Sequence, residues 1–154
     1  MKRSGFTMIE LIFVIVILGI LAAVAIPRLS ATRDDATIAT MATNAATIVS
    51  DYGAGFTARA DYNATTTWAQ ITNAPSETVA GTPTAAATAI TTPILLTDGT
   101  NTCATFTASQ SVVGGAYDTL TVTSGNTGAV CSNVATRIAN LVRVHTFGGT
   151  GIVQ

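Results

Sequence analysis

Charge is what this chain has least of. Of its 154 residues 10% are charged, seven Lys or Arg against eight Asp or Glu, for a net charge of −1; an ordinary domain carries about 25%. Affinity for phosphate backbones comes from clustered cations that release counterions, so nucleic acid is a poor candidate for a direct partner. Lysine occurs once, at Lys2, and threonine 29 times, so hydroxyls and amides carry the polar surface. There is one histidine, His145, and the two cysteines, Cys103 and Cys131, stand far from each other in sequence. That spacing offers neither a zinc pattern nor a local Cys–His nucleophile pair. No enzyme, no metal, no cofactor and no small-molecule substrate is expected. Aromatics are 6% of the chain with no regular spacing, which speaks against an electron-conducting stack.

What the chain does have is a long apolar run. From Ser4 to Pro27 the one charge is Glu10, and Leu11 to Ile26 is entirely apolar or Gly. A helix of about 20 such residues, rising ~1.5 Å each, spans the ~30 Å bilayer interior. Lys2 and Arg3 precede it and predict a cytoplasmic N-terminus, with the remainder outside the cytoplasm.

Three readings compete for this run. Ala23-Val24-Ala25 offers a small-x-small cleavage site for a secretory signal, but the core exceeds the usual ~7–15 residues. A plain single-span anchor gives no reason for Glu10, since an ionisable group in hydrocarbon is costly. The third reading supplies a partner for the acid. A cut between Gly5 and Phe6 would create an α-amino group four residues before Glu10, a spacing that permits contact on one helix. An ammonium and a carboxylate can offset each other's desolvation where the dielectric is low. Between chains, the same pair would set axial register.

At Gly5-Phe6-Thr7-Met8-Ile9-Glu10-Leu11, behind a short basic leader and ahead of the apolar run to Pro27, the sequence resembles the type IV pilins, a family that includes the pseudopilins of type II secretion. The resemblance is confined to roughly residues 1–35. It implies a prepilin peptidase acting at Gly5 and Phe6, N-methylation at Phe6, and Glu10 as the carboxylate needed for assembly. Gly19 and Pro27 match the family's helix-interrupting positions. Proline inside a helix removes one hydrogen bond and clashes with the preceding turn; alternatively, Pro27 marks the membrane exit and opens a new helix.

Beyond Arg28 apolar residues recur mostly at three- or four-residue intervals through Leu29, Ile38, Met41, Ala45, Ile48, Val49, Tyr52 and Phe56, an amphipathic helix with Gly53 and Gly55 marking its end. Arg28, Arg33, Asp34 and Asp35 form either a solvated collar or subunit-to-subunit salt bridges. Residues 57–101 read as a loop-dominated connection with one helical turn near Trp68. Thr102–Ala108 and Thr119–Thr123 read as antiparallel strands, a short helix is expected from about Ser132 to Asn140 with a strand as the alternative, and Leu141–Phe147 with Ile152-Val153 supply one or two last strands. The predicted divisions are therefore a leader at 1–5, a transmembrane or filament-core helix at 6–27, an amphipathic helix at 28–56 and a head at 57–154. The fold class is α+β, a long helical spine packed on a small antiparallel sheet, as in type IV pilins.

Both cysteines fall in the head, which this topology places in an oxidising compartment, and a Cys103–Cys131 bridge is expected. Asp61-Tyr62-Asn63-Ala64-Thr65 holds an Asn-x-Thr glycosylation acceptor at Asn63, and its acidic residue two places earlier resembles the stricter acceptor of bacterial oligosaccharyltransferases. His145, between Val144 and Thr146, reads as a sheet or surface histidine.

The resemblance thus implies a structural subunit. It would be inserted in the bacterial inner membrane as a precursor, cut, methylated, and assembled by a dedicated machine into a homo-oligomeric extracellular pilus serving adhesion or motility. A type II secretion pseudopilin is the alternative within the family, although residues 141–154 lack the carboxylates of the major pseudopilins' calcium loop. A membrane-anchored module that never polymerises is the alternative outside it.

Overall fold

The computed structural model describes residues 5–59, 62–79, 82–83, 88–110 and 115–148. The chain divides into two compact units, residues 1–36 and 37–154. Helix α1, Met8–Arg59, contributes to both.

In the first unit every described side chain is exposed. Sixteen large apolar side chains between Phe6 and Leu29 are exposed, from Phe6 at 89% down to Ile17 at 42%. This part of α1 satisfies its own backbone hydrogen bonds, as a helix in lipid must. It is the one described helix long and apolar enough to cross a membrane.

In the second unit α1 becomes one-sided. Ile38, Met41, Ala45, Ile48, Tyr52 and Phe56 are buried, at the intervals of three and four that put side chains on one helix face. Threonines are poor helix formers when their hydroxyls compete for backbone groups. Here Thr43 and Thr47 donate to the carbonyls of Ala39 and Thr43, both at 3.0 Å, a local bond that leaves the helix intact.

The buried face packs into a core shared with an antiparallel sheet. Its strands are β1 (Glu77–Val79), β2 (Thr82–Pro83), β3 (Ile94–Thr97), β4 (Thr102–Ser109), β5 (Thr119–Ser124) and β6 (Val144–Thr146), in the order β2-β1-β3-β4-β5-β6. The register of the central strands follows from alternation. Phe106 pairs with Ile94 and Val122, and Ala108 pairs with Leu120; all five are buried. Next to these pairs stand Thr105↔Thr123 and Thr107↔Thr121, which point to the other face because strand side chains alternate. A one-residue slip would exchange apolar for hydroxyl face. Trp68, in the 3₁₀ turn Trp68–Gln70, is also buried, and its indole N–H donates to the Thr92 carbonyl at 2.8 Å.

Helix α2, Ala129–Arg137, places Cys131 and Val134 in the core. The predicted helix at Ser132–Asn140 therefore starts three residues late, because Cys131 and Val134 already define its inner face. Three further expectations are corrected. Gly53 and Gly55 do not end α1, which runs on to Arg59. The stretch 57–101 contains β1, β2 and β3 as well as loop. Of Leu141–Phe147, only Val144–Thr146 is strand, since Leu141 and Val142 continue a turn that bonds back to the Ile138 carbonyl. Ile152 and Val153 lie outside the described residues.

Candidate functional site

The candidate site is the start of α1. Gly5, Phe6 and Thr7 precede the helix, and nothing lies within 4 Å of the position a Cβ would take at Gly5. The Leu11 N–H donates to the Thr7 carbonyl at 3.2 Å, the first backbone bond of the helix. Thr7 thus stands at the N-cap and Glu10 at the third helical position. The Thr7 N–H and hydroxyl both donate to Glu10 Oε2, at 2.8 and 2.6 Å, and the Glu10 N–H reaches back to Thr7 Oγ1 at 3.4 Å. This is a capping box, in which side chain and backbone at the two positions satisfy each other's free groups.

The box gives Glu10 a partner inside its own chain, and Thr7 is the residue that the reading of Glu10 left out. The signal was present in Thr7-Met8-Ile9-Glu10, a Thr-x-x-Glu immediately ahead of an apolar run. An acid in the first turn also meets the positive end of the helix dipole. Phe6, directly before the box, is fully presented.

The other sequence-derived positions are spread over the chain. Gly19 and Pro27 both lie within α1. Arg28, Arg33, Asp34 and Asp35 are exposed. Cys103 on β4 and Cys131 on α2 form a disulfide with Cα atoms 4.5 Å apart. Asp98 Oδ2 lies 3.9 Å from Cys131 Sγ, but both sulfurs are consumed in the bridge, so this trio offers no thiolate to a metal. The Asp98 carboxylate serves the β3–β4 turn instead. It accepts from the Asn101 N–H at 2.6 Å and the Thr100 N–H at 2.9 Å, and the Asn101 bond chiefly holds it below the usual carboxylate range. Asn63 occupies an exposed turn just beyond α1. His145 on β6 is 2.9 Å from the Leu141 carbonyl and stacks on Phe147, with ring centroids 6.2 Å apart, a structural sheet histidine.

Residues 1–26 match the prokaryotic N-terminal methylation motif. The chain is also similar to the type IV narrow pilus major component PilA5 of Thermus thermophilus, 48% identical over 52 residues, which are 34% of this chain and 45% of that protein. The match therefore spans less than half of the relative's length. No solved structure matches the chain. The motif, the similarity to a pilin, and the long helix with its small antiparallel sheet describe an α+β, type IV pilin-like protein.

Proposed function

We propose that this chain is the structural subunit of an extracellular, type IV pilus-like helical filament. It is made as a membrane-inserted prepilin, cleaved after Gly5 by a prepilin peptidase and N-methylated at Phe6. Residues 6–27 then serve in turn as membrane anchor and filament core, residues 28–56 as the helix that carries the head, and residues 57–154 complete it. Glu10 is the assembly carboxylate.

The observation that carries this reading is the contrast within α1. One part buries an apolar face in a disulfide-closed head, while the other leaves sixteen large apolar side chains exposed. Each such side chain left in water forgoes about 1.5–3 kcal/mol, so the segment needs lipid or copies of itself. Lipid is as apolar as the helix. Withdrawal into a filament therefore gains little from hydrophobicity, and register must come from packing, from Glu10 and from an assembly machine. Identical subunits meeting through two different surfaces build an open helical polymer. The name of the Thermus relative, a pilus component, favours a pilus over a secretion pseudopilus.

Mass spectrometry of the mature polypeptide from its native host tests this. The expected chain begins at Phe6 and carries one added methyl group on its terminal nitrogen. A chain beginning at Met1 or at Ile26 would remove the prepilin reading.

A further inference from the structure

We infer that Asn63 is a site of N-linked glycosylation, the sugar coming from a polyprenyl-diphosphate-linked oligosaccharide. The inference rests on the reading above in one respect, that residues beyond 27 leave the cytoplasm.

Asn63, Ala64 and Thr65 are all exposed, and they stand between two buried residues, Tyr62 and Thr66. The Thr66 N–H donates to the Asn63 carbonyl at 3.0 Å, and the Asn63 N–H to Thr66 Oγ1 at 3.1 Å. The acceptor tripeptide is therefore the outer part of a closed turn, anchored at both ends and open to a large enzyme. Nothing bulkier than the Ala64 methyl lies between its asparagine and its threonine.

The orientation of the carboxamide follows from its partners. The Thr65 N–H lies 2.9 Å from Asn63 Oδ1, and a backbone N–H can only donate, so that atom is the oxygen. The Thr65 hydroxyl also donates to Oδ1, at 2.6 Å. Both bonds hold the oxygen toward the chain, which leaves Nδ2 as the outward end of the group. An aspartate would serve this turn as well as asparagine does, since only an acceptor is needed. The fold uses the oxygen of Asn63, and the nitrogen is the atom that glycosyl transfer requires.

In that transfer Nδ2 bonds to the anomeric carbon of the donor sugar while the bond from that carbon to the diphosphate oxygen breaks. The polyprenyl diphosphate leaves with the electron pair, and one amide proton passes to a base on the transferase. Asp61 stands two residues before the acceptor.

The test uses the mature protein from its native host, digested with a protease that cuts before aspartate to release residues 61–97. The expected result is a mass increment of hexose or N-acetylhexosamine units that fragmentation places on Asn63. It disappears in Asn63→Gln and Thr65→Ala and persists in Thr65→Ser, whose hydroxyl is kept. Unmodified wild-type peptide, or an increment that survives in Asn63→Gln, overturns the inference. The N-terminal peptide of the same sample separates it from the prepilin reading. An unmodified Asn63 on a chain beginning at Phe6 overturns this inference alone. An unmodified Asn63 on a chain beginning at Met1 overturns both. A glycosylated chain beginning at Met1 sustains this inference and removes only the other.

Discussion

Thr7 holds Glu10 at the first turn of α1 through two donors, its N–H at 2.8 Å and its hydroxyl at 2.6 Å, both on one carboxylate oxygen. This pairing explains how the chain tolerates an acid beside an apolar helix before any cut is made. It leaves the second carboxylate oxygen with neither Thr7 bond. A free amine on Phe6, four residues before Glu10, would add a charge partner without dismantling the cap.

Glutamine separates the two roles. A capping box accepts Gln as readily as Glu, so Glu10→Gln keeps the helix start and loses only the charge. If the carboxylate works through an ammonium, both Glu10→Gln and Glu10→Ala should insert and be cleaved normally, yet yield few or no surface filaments by electron microscopy and shear fractionation. Normal filament yield from Glu10→Gln alone would reduce Glu10 to a helix cap.

How much of this was legible in the sequence depended on whether the decisive contact was local. The apolar run, the amphipathic face from Ile38 to Phe56 and the strands β4 and β5 were readable because periodicity records them directly. Strand β3 was not. Ile94–Thr97 is four residues long between turns, and its partner Phe106 becomes apparent only once the sheet has formed. The roles of Gly53 and Gly55 depend on rings that arrive from Phe147 and Tyr62, both outside the helix. At the site, Gly5, Phe6 and Glu10 were legible as a pattern, whereas the bonds of Thr7 needed a helix start in three dimensions.

The disulfide should carry a large share of the head's stability. Cys103 and Cys131 are both fully buried, and closing the 29 residues from one to the other restricts the unfolded chain by roughly 3–4 kcal/mol in the loop-entropy treatment. A domain's net stability is about 5–15 kcal/mol. Urea unfolding of the mature chain in detergent, followed by Trp68 fluorescence, should show the Cys103→Ala/Cys131→Ala variant losing stability on that scale. A loss under about 1 kcal/mol would mean that the core of β4 and α2 holds without its staple.

Alkaline pH should loosen the head through its tyrosines. The Tyr52 hydroxyl donates to the Tyr117 carbonyl at 2.6 Å. Burial first, and then the charges of Tyr62, Asp118 and Tyr117, push its phenol well above the usual range; burial pushes Tyr62 the same way. Unfolded tyrosines ionise near pH ~10, whereas burial holds these phenols protonated to higher pH in the fold. Their contribution is therefore complete below about pH 10 and is lost as pH rises through the raised values, chiefly through Tyr52. Tyr52→Phe should cost about 1–2 kcal/mol at neutral pH, because it strands a half-buried acceptor. It should also flatten the alkaline decline, and an unchanged slope in pH-dependent urea unfolding would assign that decline to other groups.

Gly55 gives a test in which local propensity and packing predict opposite signs. Inside an exposed helix, Gly→Ala should stabilise by about 1 kcal/mol. A methyl at Gly55 would instead overlap the Tyr62 hydroxyl. Tyr62 is fully buried, edge-on to the Tyr52 ring at 5.0 Å and to the Phe56 ring at 5.7 Å, and its hydroxyl donates to the Tyr52 carbonyl at 3.2 Å, so the ring has nowhere to retreat. Overpacking a filled core costs ~1–3 kcal/mol, which exceeds the propensity gain. Gly55→Ala should therefore lower the urea midpoint of the head. Gly53→Ala is the internal comparison, since its methyl would meet the outer edge of the Phe147 ring at 2.6 Å, and Phe147 is only partly buried. That ring can turn aside, so Gly53→Ala should be the milder of the two. If Gly55→Ala proves stabilising, Tyr62 is not fixed against the helix as described, and the aromatic cluster around Tyr52 does not set the packing of α1 on the sheet.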